Sequence, residues 1–158
     1  MDPRRELLRH IVATIAYRGG KAVRDAPPSF AAFRPGDRSR TAAEILAHMG
    51  DLFDWALSIV KGAQAWHNSP PRAWDEEVAR FFDALGALDA YLASDAALGC
   101  TPDKLIQGAL ADALTHIGQL AMMRRLADCP IRGENYFVAD ISIGNVGPNQ
   151  AAPRREFD

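Results

Sequence analysis

Apolar residues recur at helical spacing through most of the chain, and breakers divide the pattern into four long amphipathic segments. The first is predicted from about Pro3 to Val23, with Leu7, Leu8, Ile11, Val12 and Ile15 on one stripe. Pro27, Pro28, Pro35, Gly36 and Asp37 then predict a loop from Arg24 to Arg40, with room for a short helical turn over Phe30 to Phe33. Thr41 is a good N-cap for the second helix, and Glu44 completes a capping box. That helix is expected to run to about Lys61 and stop at Gly62. After the break at Ser69-Pro70-Pro71, a third helix is predicted from about Ala73 to Ala93. Trp74, Val78, Phe81, Phe82, Leu85, Leu88 and Leu92 are its apolar set. The fourth opens with Thr101 as N-cap, Pro102 at the first helical position and Asp103 favoured by the helix dipole. It runs to about Asp128, before Pro130.

Glycines and prolines from Ile131 to Asp158 predict an ordered, mostly extended tail that docks through Tyr136, Phe137, Ile141, Ile143 and Val146. Four long helices with modest loops predict an all-α fold: a four-helix bundle over about 3–128 and a docked C-terminal tail over about 131–158, forming a single domain.

Composition supports an ordinary globular chain. It has 158 residues, 48% of them apolar and 24% charged. A domain of about this size buries roughly 70% of the surface its unfolded chain exposes, enough for a core without staples. The net charge of −2 and the dispersed arginines argue against a nucleic-acid partner. No segment approaches the ~18 consecutive apolar residues of a membrane span. Cys100 and Cys129 flank the two ends of the predicted fourth helix, about 40 Å apart and beyond disulfide reach. Two unpaired thiols suit a reducing cytosol, and the start lacks a signal-type apolar core, so a cytoplasmic location is expected.

Candidate chemistry sits on the fourth helix. At about 100° per residue, Leu105, Ala109, Ala113, Leu120, Met123 and Ala127 form its apolar face. Asp112 and His116 fall in the middle of that face, one turn apart, with Gln119 on the same side. A carboxylate on a buried stripe is costly unless something pairs with it. On the second helix, Ile45, Met49, Leu52, Phe53, Ala56 and Val60 face the core, and His48 lies on the shoulder of that stripe. His48, Asp112 and His116 can therefore converge. Two imidazoles and a carboxylate would leave open positions on a divalent metal, as catalytic sites do. The pair Asp112 and His116 serves equally well as an internal ion pair. Glu44 and Asp51 lie further round the wheel and read as solvated. His10 reads as surface or rim, and His67, beside Trp66, as exposed. Trp55 and Tyr136 are candidates for the pocket lining.

The segment from Thr41 to Trp55 (TAAEILAHMGDLFDW) and that from Asp112 to Leu126 (DALTHIGQLAMMRRL) resemble the ligand-bearing helices of the DinB-like (DinB/YfiT) metalloenzyme family. The resemblance spans nearly the whole domain, on short motifs. It implies an up-down-down-up four-helix bundle with a divalent metal near one end. His48 matches the family's histidine on the second helix. His116, followed by Gly118 and Gln119, matches the second histidine of its His-x-x-x-His pair. Asp112 stands where the first would be. This departure hardens the donor set and leaves zinc, nickel, iron and manganese all open. The resemblance further implies a small-molecule substrate, thiol-dependent transferase or isomerase chemistry with a low-molecular-weight thiol, and a homodimer. From the residues themselves, a hydrolase using metal-bound water is the other enzymatic reading. A non-catalytic metal- or ligand-binding bundle is the alternative, prompted by Asp112.

Overall fold

The computed structural model describes residues 2–157 and is mostly helical. Helix α1 spans Pro3–Val23, α2 Ala42–Val60 and α3 Trp74–Ala93. The predicted fourth helix is three consecutive pieces: α4 (Pro102–Leu105), a π-helical segment (Ile106–Leu110) and α5 (Ala111–Leu126). A 3-10 turn covers Pro28–Ala32 in the first loop. Helices α1 and α2 each pack against both α3 and α5. Among the described residues, no helix is long and apolar enough to cross a membrane.

The helix boundaries follow local chemistry. Thr41 and Glu44 form the expected reciprocal capping box on α2. Gly62 ends that helix with φ +73°, a conformation that glycine adopts without steric cost. Thr101 occupies the N-cap position of α4, but its side chain makes no capping hydrogen bond. Pro102 still starts the helix, because its fixed φ suits the first position.

One core runs through all the helices. Val12, Ile15, Met49, Phe53, Phe81, Leu85, Leu88, Leu105, Leu110 and Leu120 are all fully shielded within it. Each such large side chain contributes roughly 1.5–3 kcal/mol relative to its exposed state. Leu7 departs from the predicted stripe and is exposed, whereas Ala13, Ala16 and Tyr17 are buried. Arg9 and Asp89 add a doubly hydrogen-bonded tie between α1 and α3, at 2.8 Å in both arms.

The tail is ordered, and part of the predicted docking set is used: Tyr136 packs on Tyr17 of α1. Phe137 is 97% exposed and Ile143 is also exposed, while Val146 packs against the core. The tail also has a buried polar anchor. Glu134 is buried and accepts from Tyr17 Oη at 2.5 Å and from Lys21 Nζ at 2.8 Å. Burial and the bond to Glu134 push the Tyr17 phenol above its ordinary range. Glu134 belongs to β1 (Gly133–Glu134), which pairs antiparallel with β2 (Glu156–Phe157) and so ties the chain's end to α1.

Candidate metal centre

The π segment positions the centre. Gly108 leaves helical geometry there, with φ −90° and ψ −107°. A wheel drawn from Leu105 at constant pitch loses phase across such a turn, which carries an extra residue. The buried side of α5 is accordingly Ala113, Ile117, Leu120 and Arg124, with Met123 at its margin. With Ile117 and Arg124 buried, Asp112 and His116 stand at the edge of that side rather than at its middle. The expectation that Asp112 is buried is therefore wrong: its side chain is 45% exposed, against 12% for His116. The pair stands at an opening rather than inside the core.

His48 of α2 meets the pair there. One ligand-type atom from each of His48, Asp112 and His116 lies within 4.8 Å of the others. Asp112 Oδ1 is 3.4 Å from His116 Nε2, and Oδ2 is 3.8 Å from His48 Nε2. The two imidazoles stand edge to face, with centroids 4.8 Å apart. Ligands placed about 2.0–2.2 Å from a tetrahedral ion stand roughly 3.4 Å from one another, so small side-chain rotations bring this set to size.

The protonation pattern suits a cation. Gln119 Oε1 lies 2.8 Å from His116 Nδ1. With the amide oxygen as acceptor, Nδ1 carries the proton and the Nε2 lone pair faces Asp112. Burial holds His48 below its ordinary pKa, and the nearby His116 and Arg40 push the same way, against Asp112 and Asp51. A neutral imidazole is the form that binds a metal. Among the described residues Asp112 has no lysine or arginine partner, so no side-chain cation sits against its carboxylate. The donor set thus fits a divalent ion.

Two tryptophans wall the site. Trp66 packs edge-on to His48 at 5.6 Å, and Trp55 packs on Trp66 at 5.8 Å. A Cβ added at Gly108 would meet the Trp55 ring at 4.0 Å, which places that ring beside the π segment. Trp55 was expected near the pocket; Trp66 was not singled out, because a loop residue shows no periodicity. Tyr136 was expected to line the pocket as well, but it packs on Tyr17 and beneath the Arg18 guanidinium. It serves the tail's docking on α1. His10 is exposed, as expected.

A second group of similar residues lies further along α2. Asp51 was read as solvated, yet it is 3% exposed. It accepts from Ser69 N and Ser69 Oγ, both at 2.8 Å, and from Arg80 Nη2 at 2.5 Å. Asp54 accepts from the same Arg80 nitrogen at 2.8 Å, and His67 Nε2 stands 3.1 Å from Asp51. Glu77 is buried, with one oxygen 3.7 Å from Arg80. Burial alone would raise the Asp51 pKa, but the bonds from Ser69 and Arg80 outweigh it and hold the carboxyl below its ordinary value. Gly50 makes the arrangement possible, since a Cβ there would stand 2.8 Å from Arg80 Nη1. A glycine inside an otherwise strong helix was the available signal.

Two hollows flank the centre. One of about 660 Å³ runs from His116 and Gln119 along α5 to Leu126. Another of about 380 Å³ is bordered by His48 and Asp51. Compared with protein-family models, curated proteins and solved structures, the chain matches none.

Proposed function

We propose that this chain is a DinB-like four-helix bundle that holds a divalent metal through His48, Asp112 and His116 and uses it in a thiol-dependent transfer or a hydrolysis. The observation that carries this reading is a carboxylate facing two imidazoles with no lysine or arginine partner among the described residues, and Gln119 Oε1 within hydrogen-bond distance of His116 Nδ1. A bound metal would act as a Lewis acid, lowering the pKa of a thiol or a water so that the nucleophile exists at neutral pH. The chain's own residues do the rest. Gln119 fixes the ring of His116. Trp66 and Trp55 cover one side of His48 and limit water there. The exposed edge at Asp112 leaves the approach open for a small substrate or a low-molecular-weight thiol. In this reading the protein is cytoplasmic, pairs as a homodimer through its helices, and has no nucleic-acid or membrane partner.

Purification without a histidine tag, followed by metal analysis and reconstitution with zinc, nickel, iron or manganese, tests the centre. One divalent ion per chain is expected. No stoichiometric metal under either condition would sink the proposal. The half-exposed Asp112 at the family's histidine position favours one competing reading, a bundle that binds a metal or small ligand without catalysis. A panel of thiol-conjugation and hydrolysis substrates, run on the loaded protein and on His116→Ala, separates the two.

A further inference from the structure

The larger hollow has an uneven chemistry. Its floor is apolar: Ile45, Met122, Met123 and Leu126. Met122 and Leu126 are 57% and 54% exposed, so an apolar surface lies open beside the proposed centre. No aspartate or glutamate lines it. The polar groups at the end near His116 are donors. Gln119 accepts from His116 through its amide oxygen, which leaves its N–H groups to point elsewhere. Ser39 adds a hydroxyl. Arg40 adds a guanidinium that makes no hydrogen bond or close ion pair among the described residues, its charge acting only at longer range on Glu44 and His48. Ser39 and Arg40 also line the hollow bordered by His48, so they stand where the two spaces meet. Donors around a guanidinium that no carboxylate touches are the complement of an anionic oxygen pair.

We infer that the hollow between Arg40 and Leu126 takes a small amphipathic monocarboxylate, its carboxylate read by Arg40, Ser39 and Gln119 and its apolar remainder lying on Met122, Met123 and Leu126. A volume of about 660 Å³ is ample for such a ligand. One guanidinium and neutral donors match a single negative charge. The inference rests on the metal centre proposed above for which end of the ligand reacts: the carboxylate end lies next to His48 and His116, and the apolar end runs away from them.

The test uses metal-free protein, so that carboxylate cannot bind through an ion. Butanoate, hexanoate and octanoate are titrated calorimetrically, with hexylamine and inorganic phosphate as controls. Affinity is expected to rise about fourfold per methylene along the series. Arg40→Gln should weaken every carboxylate about tenfold without changing that slope. Met122→Glu, at an exposed position, should abolish binding of octanoate. Equal affinities in wild type and Arg40→Gln would overturn the inference, as would hexylamine binding as tightly as hexanoate. So would displacement of octanoate by equimolar phosphate, or an affinity independent of chain length because a second copy covers the apolar floor. Metal reconstitution of the same protein and variants, measured separately, keeps the two proposals apart. Carboxylate binding absent with metal binding intact rejects the subsite alone. The reverse rejects the metal centre alone.

Discussion

Helix α2 contributes to two clusters of the same residue types, through His48 and, one turn on, through Asp51, and they are chemically opposite. At His48, Asp112 and His116 the carboxylate faces two imidazoles and no guanidinium. At Asp51, Asp54 and His67 a guanidinium is already in place, with Arg80 bridging both carboxylates and Ser69 closing the remaining sites on Asp51. Both groups bring ligand-type atoms close enough for a metal. Only the first lacks a resident cation, so only the first gains by acquiring one. Spacing nominates a metal site, and the partner of the carboxylate decides it. The second cluster has a structural consequence as well. Through Ser69 it ties the connection between α2 and α3 to α2, and that connection carries Trp66 onto His48.

The largest expected effect breaks the second cluster. Arg80→Met would leave Asp51, at 3% exposure, without its counter-ion. Removing one partner of a buried pair costs about 3–5 kcal/mol, a large part of a domain's whole stability. Urea denaturation should show that loss. Arg80→Met combined with Asp51→Asn should recover part of it, because the buried charge is then gone. A single substitution as stable as wild type would mean that the bridge contributes nothing.

Next come the ligands of the first cluster. His48→Ala, Asp112→Ala and His116→Ala should each weaken metal binding by about 100-fold or more, beyond what outer partners of metal ligands contribute. His67→Ala and Asp54→Ala should leave metal stoichiometry unchanged. Competitive titration against a chelating dye measures both sets. Loss of metal in His67→Ala with retention in His116→Ala would reverse the assignment of the two clusters. A smaller effect is expected of Gln119→Leu. It keeps all three ligands but frees the His116 ring, and should cost about 10-fold to 100-fold in affinity.

What could be read in advance divides along the same line. The helices and the capping box at Thr41 depend on short-range spacing, which one sequence displays, and the inward faces of two helices were enough to suggest that His48 meets Asp112 and His116. The exposure of Asp112 does not follow from spacing: Ile117 and Arg124 join the buried side of α5 and centre it away from Asp112, which stands at the edge. Burial of Asp51 depends on Arg80 and Ser69, which come from another helix and from a loop. Trp66 reaches His48 only because that loop is tied down. The tail's apolar residues suggested apolar docking, whereas Glu134, reached by Tyr17 and Lys21 across the fold, is the buried anchor. Contacts between residues far apart in sequence leave no period to find.

The smallest effect concerns acid, and it separates the clusters without touching a metal ligand. Burial pushes the Asp51 pKa up, but the Ser69 and Arg80 bonds push it down further, so the folded value lies below the unfolded one. A depressed carboxyl pKa stabilises the fold fully above the unfolded value of about 3.9, and that contribution fades as pH falls through the lower, folded value. The unfolded chain then binds the proton more readily than the folded one, so stability must rise with pH across that window. Asp51→Asn removes the titrating group. It should be less stable than wild type at neutral pH and should change less between about pH 5 and pH 2. Chemical denaturation across this range gives both curves. Parallel curves would show that Asp51 does not titrate differently on folding, and the contrast between an occupied carboxylate at Asp51 and an open one at Asp112 would lose its energetic basis.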